Sequence, residues 1–305
     1  MASFLKTPVM KKWLKYGLIL LGIIIVAFVG VSGYMGYSMT RQERKPLDKD
    51  PGDIGLAYEE VDFPDIDEEL ILRGWFLTND GSDRVIVMVH GNEANRDDPS
   101  IGTLDIAGAL VDHGYNVLMF DLRGCGESEG DMVSGGYHEK KDILGAVEHV
   151  RKRGFNNIGV IGFSLGAVSS LLAAAETKDI DAVVADSSYA DLNDIMGPEF
   201  SKRTKAPQIM LKPMLFMIRL MFGVDFSAIR PIDCVPEITP RPIFFIHGQE
   251  DDTIPVEHAD RLYQAAENPL NRIWVVPETN HVRSYITHPE EYIRRITDFF
   301  DTALR

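Results

Sequence analysis

Cysteine is scarce in this sequence, and basic residues are scarce after its first 45 positions. The two cysteines, Cys125 and Cys234, permit at most one disulfide and lack the spacing of a metal site, so a disulfide-built scaffold and a cysteine-ligated metal centre are excluded. Residues 1–45 hold seven of the 31 basic residues and one of the 46 acidic residues, which leaves residues 46–305 with a net charge of −21 (24 basic against 45 acidic). A domain this acidic is repelled by nucleic acid, so we expect no nucleic-acid partner.

Long uncharged runs are also scarce, but one such run spans Tyr16–Tyr37. Its 22 residues would extend about 33 Å as a helix, enough to cross the hydrocarbon core of a membrane. We interpret 16–37 as a transmembrane signal anchor, and a cleaved signal peptide is the alternative. The basic segment at 1–15 has four lysines, against three basic residues just after the run, which favours a cytoplasmic N-terminus. The rest of the chain would then be extracytoplasmic.

The remainder of the chain reads as a linker followed by one α/β domain. Residues 38–56 are polar and contain proline and glycine, which is typical of a linker, and the domain occupies 57–305. Alternating patterns at 57–63 and 69–80 predict an antiparallel pair of strands. Six unbroken apolar runs then predict buried strands, at 84–91, 115–124, 157–164, 181–188, 241–248 and 271–278. Helical patterns separate or follow them, at about 101–113, 138–152, 166–177, 256–267 and 289–303, and this alternation predicts a mostly parallel twisted sheet flanked by helices.

Residues suited to catalysis follow three of these runs. In "GFSLG", Ser164 stands between Gly162 and Gly166, where a strand pattern changes to a helix pattern. A serine hydroxyl becomes a good nucleophile only beside a base that a third group orients. Later strand ends supply "HGQEDDTIP" at 247–255 and "PETNHVRS", which contains His281. Serine, aspartate and histidine in this chain order are typical of α/β-hydrolases.

Four motifs together resemble the α/β-hydrolase superfamily over roughly residues 55–305. They are "VHGN" at 89–92, "DLRGCGESEG" at 121–130, "GFSLG" at 162–166, and "HGQEDDTIP" followed by His281. Within the superfamily the pattern is similar to membrane-tethered or secreted bacterial hydrolases of the serine-aminopeptidase-like or depalmitoylase-like kind. The resemblance implies the α/β-hydrolase fold with a helical cap insertion, here at about 190–235, behind the N-terminal transmembrane helix.

The resemblance also implies roles for individual residues. Ser164 would be the nucleophile, with Gly162 and Gly166 relieving crowding around it. His281 would be the general base and later the acid. His288 also follows the last strand and is the alternative base, although its sequence context is that of a helix start.

The acid is chosen by spacing within the family pattern, which places it three residues after the glycine and four before the proline. Counting from Gly248 and from Pro255 gives Asp251 in both directions. The alternatives are the adjacent Asp252 and, at the end of an earlier strand, Asp186.

A tetrahedral intermediate needs two N–H donors directed at its oxygen. The resemblance assigns these oxyanion donors to the backbone of Leu165, at a helix N-terminus, and of Asn92, after "HG". In "DLRGCGESEG", we expect Arg123 to brace loops and Cys125 to be a packed residue.

The insertion contains Met210, Met214, Met217 and Met221 at helical spacing. Three interpretations are open: a helix packed on the core, a cap whose Met214, Met217 and Met221 line an apolar pocket for substrate, and a face that dips into the bilayer near the anchor. We prefer the cap.

The predicted activity is hydrolysis of carboxylic esters through an acyl-enzyme, without metal or organic cofactor. The substrate would be a small-molecule acyl ester or a lipid-like ester. Thioesters, as in a depalmitoylase, and peptides are alternatives that use the same three residues. A tethered protein that binds a partner without catalysis is a further alternative of a different class.

Overall fold

The computed structural model describes residues 8–304, so the first seven residues of the predicted basic segment at 1–15 lie outside the described residues. The chain divides into two compact units. The anchor unit contains the residues up to Thr40 together with Gly197–Asp225, and the sheet unit contains Arg41–Met196 together with the residues from Phe226 onward.

The sheet unit is built on one eight-stranded sheet. Its strands are β1 (Glu59–Pro64), β2 (Ile71–Leu77), β3 (Arg84–Val89), β4 (Asn116–Phe120), β5 (Asn157–Phe163), β6 (Ala182–Asp186), β7 (Ile243–Gly248) and β8 (Arg272–Val276). They are arranged in the order β1-β2-β4-β3-β5-β6-β7-β8. The β1–β2 and β2–β4 pairs are antiparallel, and the strands from β4 to β8 pair in parallel. The predicted antiparallel pair and the six predicted buried strands are all present.

Ten α-helices are found among residues 8–304: α1 (Pro8–Met39), α2 (Thr103–Asp112), α3 (Glu139–Lys152), α4 (Leu165–Glu176), α5 (Leu192–Thr204), α6 (Leu211–Phe222), α7 (Pro231–Cys234), α8 (Glu257–Ala265), α9 (Ser284–Thr287) and α10 (Pro289–Ala303). Two apolar clusters form the core of the sheet unit, one beneath α3, α4 and α8 and the other beneath α2 and α10. Central strands buried on both faces explain the unbroken apolar runs. The predicted fold class is therefore confirmed.

The anchor unit pairs α1 with the helical insertion between β6 and β7. Lys11–Met39 is the one stretch of the described chain that is long and apolar enough to cross a membrane, and it includes the predicted anchor at 16–37. A signal sequence would have the same properties. The insertion predicted at about 190–235 contains α5, α6 and α7, of which α6 lies within the anchor unit.

The segment after α1 has little regular structure but many hydrogen bonds. The region predicted as a linker, 38–56, begins in the last residues of α1 and contains one short 3-10 helix, Pro51–Ile54. The guanidinium of Arg44 donates to four carbonyl oxygens of the loop after β4, those of Cys125, Gly126, Ser128 and Gly130. This part of the segment is therefore fixed to a loop at the carboxyl end of the sheet.

Candidate active site

Ser164 occupies a sharp turn between β5 and α4. Its backbone has φ 52° and ψ −113°, a strained conformation for a residue with a side chain. A Cβ on Gly162 would collide with the carbonyl of Gly166, and a Cβ on Gly166 would collide with the carbonyl of Val89. Both flanking glycines are thus required by close backbone contacts, and the turn exposes the serine hydroxyl at the carboxyl end of the sheet.

The structure brings together the three residues that the sequence assigns to one site. His281 Nε2 lies 2.9 Å from Ser164 Oγ, and His281 Nδ1 lies 2.7 Å from Asp251 Oδ2. Ser164 lies in the turn after β5, Asp251 in the loop after β7 and His281 in the loop after β8. One carboxylate, one imidazole and one hydroxyl therefore form a continuous hydrogen-bonded chain, in which the carboxylate fixes the proton on Nδ1 and leaves Nε2 free to accept one from serine.

Asp251 is buried but remains ionised because several donors point at it. Burial by itself would raise the pKa of this carboxyl, whereas hydrogen bonds from His247 and His281 hold the pKa well below its usual range. The backbone N–H groups of Thr253 and Ile254 also donate to Oδ1, at 2.9 and 2.8 Å. A carboxylate with this many donors keeps its charge, and that charge stabilises an imidazolium at His281.

His247 also belongs to this site, although the sequence motifs did not single it out. Its fully buried Nε2 lies 2.8 Å from the carbonyl oxygen of Ile254 and 3.2 Å from Asp251 Oδ2. The Nε2–H tautomer donates to both, so His247 and His281 share the same carboxylate oxygen, Oδ2. The pKa of His247 is raised: burial lowers it, but the hydrogen bonds to Asp251 and Ile254 outweigh that effect. The one sequence feature that could have indicated this contact is the position of His247, four residues before Asp251.

The alternative acid and base residues lie elsewhere. Asp252 is exposed and pairs with the hydroxyl of Thr253. The Asp186 carboxylate accepts hydrogen bonds from Ser187 Oγ and Tyr292 Oη, at 3.0 Å each. His288 caps α10, with its ring centroid 6.4 Å from that of Trp274. None of the three appears in the hydrogen-bonded chain at Ser164.

The two predicted oxyanion donors have their N–H groups available. In the described part of the chain, neither the backbone N–H of Asn92 nor that of Leu165 donates to a protein acceptor. Leu165 is the first residue of α4, where helix N–H groups have no partner within the helix. A Cβ on Gly91 would lie 3.5 Å from Ser164 Cβ, so the backbone just before Asn92 runs beside the serine.

Buried polar side chains hold the loops around the site. His90 Nδ1 lies 2.7 Å from the carbonyl of Gly91, and its Nε2 accepts from the backbone N–H of Leu122 at 3.0 Å, which ties the loop after β3 to the loop after β4. Arg123 forms buried ion pairs with Asp65 and Asp142, at 3.0 and 2.6 Å. Arg123 thus braces loops, as expected. The Cys125 and Cys234 thiols are both free.

Gln42 is a second residue that the sequence did not single out. Its side-chain oxygen accepts from the backbone N–H of Glu93 at 2.8 Å, and its nitrogen lies 2.7 Å from Cys125 Sγ. The residue next to Asn92 is therefore held by the segment that follows α1. No motif marks Gln42, because its partner is a backbone group more than fifty positions away.

The predicted pocket residues Met214, Met217 and Met221 all lie on α6 in the anchor unit. Met214 is fully buried, whereas Met221 is 43% exposed. Their role in binding substrate remains a prediction. Within residues 8–304, no group of three or more His, Cys, Asp or Glu side chains is arranged to hold a metal ion.

Comparison with known proteins relates this chain to serine hydrolases. The sequence profile of the X-Pro dipeptidyl-peptidase family (S15) matches residues 39–202, more than half of the chain. The uncharacterized protein YqkD of Bacillus subtilis is 29% identical over 235 residues, which are 75% of each chain. The serine hydrolase BPHL of Homo sapiens is 23% identical over 218 residues, 61% of this chain and 69% of that protein.

Among solved structures, an esterase from Pyrococcus furiosus, Pf2001, has a similar fold. It superposes with a TM-score of 0.74 at 28% sequence identity, and the match covers 87% of this chain and 98% of the esterase. The mixed, mostly parallel sheet flanked by helices is thus the α/β-hydrolase fold.

Proposed function

This chain belongs to the S15 peptidase family within the α/β-hydrolase superfamily, and on that premise we propose that it is a serine hydrolase that cleaves carboxylic esters. One observation carries the proposal. His281 lies within hydrogen-bond distance of both Ser164 Oγ and Asp251, one on each ring nitrogen. This is the arrangement in which a neutral imidazole removes the proton of an attacking alcohol.

The reaction has two steps, acylation of Ser164 and hydrolysis of the acyl-enzyme. Ser164 Oγ attacks the ester carbonyl while its proton moves to His281 Nε2, and the N–H groups of Asn92 and Leu165 stabilise the negative oxygen. The C–O bond to the alcohol then breaks, and His281 returns the proton to the departing alkoxide. Water attacks the acyl-serine in the same way, giving the free acid and restoring Ser164. Loss of one oxyanion donor typically costs about 100–1,000-fold in rate.

Esters are favoured over amides by the resemblance to the Pyrococcus furiosus esterase across nearly its full length. Peptide hydrolysis is the second candidate, because the matching family is one of X-Pro dipeptidyl-peptidases. The same three residues would serve thioesters. Substrate choice depends on the groups that contact the leaving group and the acyl chain, not on the three residues themselves.

A substrate panel tests the proposal. Full-length protein is assayed with p-nitrophenyl esters of increasing acyl length and with aminoacyl and Xaa-Pro p-nitroanilides, alongside Ser164→Ala. We expect ester turnover to exceed anilide turnover and to fall by at least about 10³-fold in the variant. Faster turnover of the Xaa-Pro anilides would establish the peptidase instead.

The proposal includes a membrane tether. Helix α1 would cross the membrane once, with the sheet unit outside the cytoplasm, and the substrate would be a small acyl ester or a lipid-like ester. The tether is supported by the uncharged run at 16–37 within α1 and by the four lysines that precede this run. External protease should degrade the sheet unit of intact cells; protection equal to that of a cytoplasmic marker would reverse the orientation.

A further inference from the structure

Helix α6 packs closely on the end of α1. Met214 and Ile218 of α6 are fully buried. A Cβ on Gly36 of α1 would lie 2.9 Å from Ile218 Cγ1, and one on Gly33 would lie 3.4 Å from Met217 Cε. Two glycines on one side of α1 therefore allow the helices to approach, as small residues do between membrane helices.

The opposite face of α6 is also apolar, yet it is exposed. Ile209, just before the helix, is 77% exposed, Phe216 is 65% exposed and Leu220 is 68% exposed. Phe216 and Leu220, four residues apart, lie within about 40° of each other on α6, and Ile209 lies in the 3-10 helix Gln208–Met210 that leads into it. Single exposed apolar residues are ordinary, but three large ones on this one short helical segment form a surface suited to an apolar partner.

Basic residues border this apolar face. Lys212 and Arg219 lie seven positions apart, along one edge of it, and both are exposed. Arg219 also pairs with Asp225 at 3.0 Å. An apolar stripe edged by lysine and arginine is typical of helices that lie in the plane of a membrane surface, where the cations face anionic headgroups.

The position of α6 along α1 agrees with this chemistry. Gly33 and Gly36 lie in the last turns of the Lys11–Met39 stretch, where a spanning helix would leave the hydrocarbon core. We infer that α6 is an interfacial helix, with Ile209, Phe216 and Leu220 inserted among lipid acyl chains. This inference rests on the membrane tether proposed above and is independent of the ester chemistry. The anchor unit would then contact one bilayer through both α1 and α6.

Quenching by brominated lipid tests the inference. Full-length Phe216→Trp is reconstituted in phosphatidylcholine–phosphatidylglycerol vesicles, with and without bromine on the acyl chains, and the wild-type spectrum is subtracted. We expect bromine to remove about half or more of the added emission, because an interfacial side chain lies about 5–10 Å into the headgroup and acyl boundary. Leu220→Trp should be quenched to a similar extent. This second position on the same face keeps the test valid if Phe216→Trp misfolds.

Leu270→Trp is the matched control, since Leu270 is a 52% exposed leucine in the turn before β8. The inference would be overturned if bromine quenched the added emission of Phe216→Trp and Leu220→Trp no more than that of Leu270→Trp. The inference would also be overturned if the added emission were blue-shifted and not quenched by bromine, and if the shift depended on protein concentration. That result would indicate that a second copy of the chain covers this face. A chain that does not float with vesicles would refute the tether and this inference together, whereas ester hydrolysis would be unaffected.

Discussion

The carboxyl ends of β6 and β7 each carry one buried aspartate, and only one of the two has a raised pKa. Asp186, which ends β6, accepts hydrogen bonds from three hydroxyls, those of Ser187, Ser284 and Tyr292. Asp251, in the loop after β7, accepts from two histidines and two backbone N–H groups. Burial raises the pKa of Asp186 to about 6, whereas the pKa of Asp251 is held well below its usual range despite burial.

The comparison shows that burial alone does not decide which carboxylate can serve the site. Both side chains are removed from water, so both pay a desolvation cost. Only Asp251 has donors that can themselves carry charge, and one of these is the imidazole beside Ser164. Asp186 instead supports the backbone, because its own carbonyl accepts from the N–H of Ser164 at 2.9 Å.

Amide substitution should separate the two aspartates most strongly. In Asp251→Asn, the amide can donate to His281 and so favours the wrong tautomer, and we expect kcat to fall by about 10³–10⁴-fold. Asp186→Asn should change kcat by less than about tenfold, because its side chain does not contact His281. The measurement is steady-state hydrolysis of a p-nitrophenyl ester by the full-length variants. Comparable losses of kcat in Asp251→Asn and Asp186→Asn would contradict the assignment of Asp251 alone to the site.

Substitution of His247 should lower kcat by an intermediate amount. In His247→Leu, Asp251 loses one donor, and a hydrogen bond to a charged group is worth about 1.5–3 kcal/mol, so kcat should fall about 10- to 100-fold. KM should change little, because His247 orients the carboxylate and has no contact with substrate. His247→Gln keeps an N–H donor near the same place and should recover most of the activity. A leucine variant with unchanged kcat, or a loss confined to KM, would exclude this positioning role.

The smallest expected effect is on stability, and it depends on pH. Because the pKa of folded Asp186 is raised, the folded protein retains a proton that the unfolded chain has lost between about pH 4 and 6. Wild-type stability therefore decreases as pH rises through this window, by up to about 3 kcal/mol from this group. Asp186→Asn lacks that penalty.

The melting temperature of Asp186→Asn relative to wild type should consequently be higher at pH 8 than at pH 4. Asp251→Asn should instead be destabilised relative to wild type at both pH values, because the pKa of folded Asp251 lies well below its usual range and the contribution of the ionised carboxylate is lost only as pH falls below about 4, the unfolded value. The same pH dependence in both variants would contradict the opposite pKa shifts of Asp186 and Asp251.

Much of the fold and the core of the site follow from local sequence. Unbroken runs rich in Val, Ile and Phe predict strands buried on both faces, and a serine between two glycines at a strand-to-helix change predicts the turn at 164. The resemblance to α/β-hydrolases, through its spacing from Gly248 and Pro255, selected Asp251 over the adjacent Asp252, and the structure places Asp251 beside His281.

Other features depend on contacts between distant positions. Residues 38–56 look like a polar linker, and only the fold shows that Arg44 donates to four backbone carbonyls. The raised pKa of Asp186 depends on its burial, which only the fold shows. The role of His247 depends on a turn that directs its ring toward Asp251. None of these leaves a periodicity or a motif.

Active-site labelling tests the central claim most directly. The full-length protein is treated with a fluorophosphonate, which reacts only with an activated serine, and the modified peptide is identified by mass spectrometry. We predict one adduct, on Ser164, that is absent in Ser164→Ala and formed far more slowly in His281→Ala and in Asp251→Asn. An unlabelled wild-type protein, or equal labelling of wild type and Ser164→Ala, would contradict the account.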